Sequence, residues 1–359
     1  MKINNKINCS KGLYIFFIFL SLNLFFFSTD KTEGKAFDIS NIDVSRPFEI
    51  NFNKNEVIDE GFKKGFFELI SLILNSSDQK KINKIKLSEI KSMVESFSVE
   101  EEKFVDQIYH VKLGVSFNRK KIFDYLKKKN IFPSIPSKKK ILFIPIIIDE
   151  LQKELLIFSE NKFYNEWNLI KEKSHLIDYV LPTEDLEDLK LIKSKYKLVE
   201  EYDFKDIIDK YYLKDSIIAL IFKGDKDLRV LSKITIQSNI ILKNKSFSKV
   251  DLNNDEKIQT IISNLKTIYE DYWKNSNQIN TSIKLPLSIK VKNNDNFKIS
   301  NFEKTLDQVD LIYDFTIYKF DKDFTYYKVI FNGTPSIFLQ TMSEKDYNFD
   351  TQNLLWVLK

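Results

Sequence analysis

Apolar positions change period several times along the chain, and each change marks an element. From Phe37 to Phe52 they nearly alternate with polar ones (Ile39, Ile42, Val44, Phe48, Ile50, Phe52), the two-residue period of a half-covered strand. Over about residues 55–75 the spacing becomes helical, through Ile58, Phe62, Phe66, Leu69, Ile70 and Ile73, and Asn53 or Asn55 can cap the start. Gly61 and Gly65 sit four apart on one face of that helix. Each costs about 1 kcal/mol relative to alanine, so a backbone packed closely on a sheet is expected. A helix over 87–96, strands over 97–104 and 107–117, and a helix over Arg119–Lys129 complete a β-α-(α)-β-β-α order.

The stretch from Ile131 to Lys140, with Pro133, Pro136 and three consecutive lysines, reads as a linker. The run Ile141–Ile148 is apolar throughout, as in a central strand covered on both faces. Pro145 within it predicts a strand end or a bulge. A helix over 161–172, a strand over 176–181, a helix opened by Pro182-Thr183-Glu184-Asp185, a helix over 203–212 and a strand over 216–222 follow. That alternation predicts a partly parallel sheet. Residues 229–241 read as hairpin strands and 255–273 as a long helix. The last part repeats the first pattern: strand 285–292, helix 301–309, strands 311–320 and 324–331, helix 335–343 and strand 353–358. The predicted fold is α+β with an α/β middle domain, in which ferredoxin-like β-α-β-β-α units flank a partly parallel sheet. The expected boundaries are 37–130, a linker over 131–140, 141–275, and 276–359.

Ahead of all this stands a different pattern. Lys2, Lys6 and Lys11 precede a nearly unbroken apolar run from Gly12 to Phe27. Residues 1–36 therefore read as a signal peptide or membrane anchor. Gly34 and Ala36 supply small residues for a cut between Ala36 and Phe37. The expected location is the periplasm, or the inner membrane facing it, with membrane contact through residues 12–27 if the leader is kept.

Charge and chemistry narrow the function. The chain carries a net charge of +5, and removing residues 1–36 takes away five lysines and two acids, leaving +2. With only Arg46, Arg119 and Arg229 as arginines, nothing points to a nucleic-acid partner. Cys9 is the only cysteine, so the body has neither disulfide nor thiolate chemistry. His110 and His175 are too few for the common zinc sites without carboxylate help. No nucleotide-binding, nucleophile-elbow or zinc-protease motif occurs, so no catalytic, cofactor or metal residues are assigned. Asp149 and Glu150, which end the apolar strand, are the pocket candidates, because ligands of open α/β sheets gather at the carboxyl ends of strands. The acids Glu184, Asp185, Glu187 and Asp188 fit the first turn of a helix.

Several phrases resemble one family: Phe37-Asp-Ile-Ser-Asn-Ile-Asp-Val44, the helix with Gly61 and Phe66, Ile141-Leu-Phe-Ile-Pro145, Phe163–Trp167, Val180–Leu189 and Leu355-Trp356-Val-Leu358. Together they resemble proteobacterial, mainly alphaproteobacterial, exported proteins of unknown function. Where such relatives show a glycine-rich turn after the central strand, this chain has Asp149-Glu150-Leu-Gln-Lys153. The resemblance implies export and brings no catalytic residues. The middle domain is also similar to the α/β N-terminal domain of periplasmic translocation-associated proteins. The expected function is a non-enzymatic binding or assembly module with an envelope protein partner. The alternatives are a small-ligand or lipid-binding periplasmic protein and a hydrolase using carboxylates near Asp149.

Overall fold

Near-alternation at Ile39, Ile42 and Val44 becomes β1 (Asp38–Pro47), whose inward side chains meet the helix that follows. The computed structural model describes residues 37–225 and 227–359; the leader and Ala36 lie outside the described residues. After β1 come α1 (Lys54–Ile73), α2 (Ser76–Ile82), α3 (Leu87–Met93), β2 (Val94–Val105), β3 (Ile108–Phe117) and α4 (Arg119–Lys128). The strands form an antiparallel sheet in the order β1-β3-β2. Asn53 caps α1 through its side chain. A Cβ on Gly65 would lie 2.7 Å from Ile42 Cδ1, and one on Gly61 would collide with Leu113 Cδ1. The two glycines thus mark where the helix backbone lies directly on β1 and β3.

The middle unit runs β4 (Lys139–Asp149), β5 (Glu154–Leu156), α5 (Lys162–Glu166), β6 (Ile177–Val180), α6 (Leu186–Ser194), α7 (Lys205–Ile208), β7 (Ser216–Lys223), β8 (Asp227–Ile236), β9 (Asn239–Ser248) and α8 (Asp255–Ser276). Its sheet order is β5-β4-β7-β8-β9, with β6 also on β4. β4 runs parallel to β6 and β7, and the remaining pairs are antiparallel. Ile141, Phe143 and Ile147 of β4 enter the core beneath α8. Leu142, Ile144, Ile146 and Ile148 enter a second core on the opposite face.

Pro145 does not end or bulge the strand as expected. It pairs with Ala219 inside an unshifted ladder from Leu142 to Asp149. The interruption falls on the other edge, where β6 reaches only Leu142 and β5 starts at Ile147. Proline has no N–H to offer there. Its carbonyl is used by Asn161 Nδ2 at 3.0 Å.

The last unit is β10 (Leu285–Lys292), α9 (Asn296–Gln308), β11 (Ile312–Phe320), β12 (Phe324–Phe331), α10 (Pro335–Ser343), β13 (Phe349–Asp350) and β14 (Leu355–Leu358). The antiparallel order β11-β12-β10 is that of a ferredoxin-like β-α-β-β-α unit. Beyond it the chain departs from that arrangement: β14 lies parallel to β10, where a closing ferredoxin-like strand runs antiparallel, and β13 pairs on the outer edge of β14. One apolar cluster joins this unit to the first. Across that junction the Tyr313 hydroxyl donates to Asp124 at 3.0 Å, and Lys120 pairs with Asp314 at 2.9 Å. Residues 131–138 are woven into the body: Ile131 and Ser134 are buried, and the Ser134 N–H donates to Ile73 O at 2.7 Å.

Other departures from the sequence reading are local. α2 was not anticipated, because Ser76–Ile82 lacks an apolar period. The helix expected over 161–172 stops at Glu166. The helix expected over 203–212 is shorter, α7 running on into a 3-10 turn at Asp209–Tyr211, and it is bounded at its two ends by Phe204 (φ 56°) and Tyr212 (φ 53°) in the left-handed conformation. α9 begins at Asn296, capped by Asp295.

Phe37 is buried, its ring edge-on to Phe123 at 5.4 Å between centroids, and its carbonyl accepts from Phe117 N–H at 2.9 Å. Phe37→Ala is expected to cost about 3 kcal/mol. Gly61→Val is expected to cost about 1–3 kcal/mol by overpacking against Leu113 and Val44. Urea denaturation should show lower midpoints at unchanged slope for both; wild-type midpoints would refute these close contacts.

Candidate functional site

Asp149 and Glu150 follow one another in sequence, yet the fold gives them different work. Asp149 is buried. Its carboxylate accepts the N–H groups of Leu151 and Gln152, each at 3.0 Å, and Lys223 Nζ at 2.6 Å. Burial pushes its pKa up, but Lys223 and the two N–H donors outweigh that and hold it below the usual aspartate range. Both carboxylate oxygens are engaged, so Asp149 fixes the turn after β4 and ties it to the end of β7. Glu150 lines an open cleft of about 630 Å³ with Phe222, Gly224, Asp225, Asp227 and Arg229. The Arg229 guanidinium lies 4.0 Å from the centre of the Phe222 ring. Among the described residues no group of three His, Cys, Asp or Glu side chains is placed to hold a metal ion.

Other polar groups in the middle unit are likewise engaged. Asp188 is buried against Lys210 at 2.6 Å, and Asp215 pairs with Lys139. Asp185 caps α6, accepting from the N–H groups of Glu187 and Asp188. Glu184 accepts from Ser159 N–H at 2.8 Å. In the first unit, His110 Nδ1 of β3 lies 2.8 Å from Ser45 Oγ of β1.

Sequence reasoning missed a row on α8: Lys266, Glu270 and Lys274, four residues apart and all buried. Lys266 Nζ donates to Ile170 O at 2.8 Å, and Lys274 Nζ to Ser71 O at 2.6 Å. Glu270 accepts the N–H groups of Leu176 and Ile177 at 3.1 and 2.8 Å. Burial lowers the pKa of both lysines and raises that of the glutamate. The row binds α8 to β6 and to the end of α1. Its signal was the Lys-Glu-Lys repeat at helical spacing, in register with the apolar face. A recess of about 380 Å³ beside it is lined by Glu172, His175, Lys266 and polar residues of α8.

The strand edges differ sharply from one another. An unpaired edge is a template for an incoming strand unless it is short, bulged or covered by charge. β1 has a register shift between Ile39 and Ile42, and Lys173 and Lys64 donate to its Asn41 and Asp43 carbonyls. β2 and β11 each have two register shifts. β5 and β13 have three and two residues. β9 has ten residues and pairs with β8 from Asp227↔Ser248 to Ile236↔Asn239 without a shift. Eight of its ten residues are exposed, so its outer edge meets solvent along most of its length. The turn that sets this register, Gln237-Ser238, has both residues left-handed (φ 51° and 65°), the geometry that matches strand twist. Asp215 holds it by accepting Gln237 N–H at 2.8 Å. Exposed apolar side chains sit on β2 (Phe97, Phe104), β9 (Ile240, Leu242) and β11 (Ile317, Phe320).

Neither a family model nor a curated protein matches the chain. Among the described residues no helix is long and apolar enough to cross a membrane.

Asp149→Ala is expected to cost about 2 kcal/mol at pH 7, since it frees two N–H groups and a half-buried ammonium. An unfolded aspartate titrates near 3.9, so the native contribution is full above that value and drains away as pH falls through the lower folded value. The stability gap between wild type and variant should therefore close below about pH 4. Thermal unfolding across pH 2–8 checks this (roughly the span that brackets the transition). A gap independent of pH would contradict the assignment.

Proposed function

We propose that this is an exported envelope protein that acts by binding another envelope component, without catalysing a reaction. The lysine-led apolar run over residues 12–27 supports export, followed by periplasmic release or anchoring on that side of the inner membrane. The observation that carries the binding role is the contrast between edges and acids. The buried carboxylates are consumed in holding turns and helices, whereas strands β2, β9 and β11 present apolar side chains to solvent at sheet edges. Edge strands recognise extended segments through main-chain hydrogen bonds, with alternate side chains adding specificity.

A small-ligand role is the second reading, favoured by the cleft of about 630 Å³ beside Glu150 and Arg229. Its open, mixed-charge walls suit a polar ligand better than a lipid.

The test is fractionation and in-cell crosslinking of the tagged full chain, with the mature N-terminus sequenced from the same sample. The expected result is an envelope-associated protein with a reproducible envelope partner, beginning at Phe37 if the leader is cut. Full-length chain free in the cytosol, or no partner after repeated crosslinking, would defeat the proposal.

A further inference from the structure

We infer that the outer edge of β9 is the docking site for one extended segment of a partner protein, in which apolar residues alternate with acidic ones. This rests on the binding role proposed above and specifies the surface and the chemistry of what it takes. Three observations converge on it.

The first is regularity. Adding a strand needs evenly presented N–H and C=O groups over several residues, and each bulge breaks that presentation. Of the edges compared above, β9 is long and free of register shifts, while β1, β2 and β11 are bulged and β5 and β13 are short.

The second is charge. The β8–β9 hairpin, residues 227–249, carries Arg229, Lys233, Lys243, Lys245 and Lys249 against the single acid Asp227. β9 itself has no acid. Cross-strand opposite charges stabilise a pair and like charges oppose it. A second copy of this chain is therefore a poor occupant. Two-fold pairing of β9 with itself, with both α8 layers on the same side, sets the lysines of the two strands opposite or diagonal to each other.

The third is the sorting of side chains between faces. Lys243 and Lys245 stand opposite Ser232 and Val230, on the face covered by α8. Ile240 and Leu242 stand on the other face, opposite Thr235 and Lys233, and are 60% and 64% exposed. An incoming strand alternates its faces in the same way. Acids on its α8 side would meet Lys243 and Lys245, and apolar residues on its other side would cover Ile240 and Leu242.

The probe is a synthetic ten-residue peptide alternating valine and glutamate, compared with one alternating valine and lysine, added to the intact protein. Hydrogen exchange should show new protection of amides across 239–248, and the glutamate peptide should bind about tenfold tighter than the lysine peptide. That preference should shrink as salt is raised. The double variant Lys243→Glu, Lys245→Glu changes only exposed side chains and should reverse the preference. Equal affinities, protection at β2 or β11 instead of β9, or an unreversed preference would overturn the inference. So would a dimer formed through β9. In-cell crosslinking separates the two readings. If the double variant still captures an envelope partner at wild-type yield, the β9 site fails and the binding role stands. If the peptide docks on β9 but no envelope partner is captured, the binding role fails and the site stands.

Discussion

The fold depends on the need to cover β4 on both faces. Eleven residues run through it, and from Ile141 to Asp149 none reaches solvent appreciably. Such a strand is stable only if a layer is supplied on each side. On one side α8 delivers Ile258, Ile261, Ile262, Leu265, Tyr269 and Trp273. On the other, α6, α7 and the loops around Phe158 and Phe204 deliver Ile192, Ile207 and their neighbours. The parallel neighbours β6 and β7 follow from the same demand, because the connections between parallel strands supply the covering layers.

The long helix that covers β4 also unites the molecule. Its row of Lys266, Glu270 and Lys274 reaches backbone groups in the loop at Ile170, the start of β6 and the end of α1. Asp271 of the same helix accepts the N–H and hydroxyl of Ser76. Buried charges are costly unless each finds a partner. Here each meets backbone dipoles in need of one, so the cost fixes a single docking geometry. This is why buried ionisable groups in this protein do not by themselves mark a catalytic centre.

Much of this was legible in the sequence. Ile141–Ile148 announced a doubly covered strand, Gly61 and Gly65 announced a close helix–sheet contact, and the order of elements after residue 285 announced the ferredoxin-like β-α-β-β-α part, though not the parallel pairing of β14 with β10. The misses have physical causes. Ser76–Ile82 forms a helix through Asn75 capping and tertiary support, without an amphipathic period. Helix 161–172 ends early, with Leu169 and Ile170 exposed where an extended apolar stripe would need burial. Phe204 and Tyr212 take left-handed conformations that propensity does not foresee. At the strand end, position was readable but role was not: Asp149 lies where expected, and only the geometry shows that Lys223 and the turn N–H groups occupy it. The role of the lysines on α8 was not readable, because the backbone groups they reach lie 96 and 203 residues away in sequence.

Pro145 carries one more consequence, which concerns valency. A subunit can polymerise by strand addition only if both ends of its sheet accept a neighbour. At the β4 end, the gap between β6 and β5 presents a residue with no hydrogen to donate, and Asn161 has taken its oxygen. Under the docking inferred for β9, the middle sheet is one-sided at this gap, because Pro145 offers an arriving strand neither a donor nor a free acceptor. On that inference, the asymmetry of the middle sheet favours stoichiometric complexes over open-ended fibres.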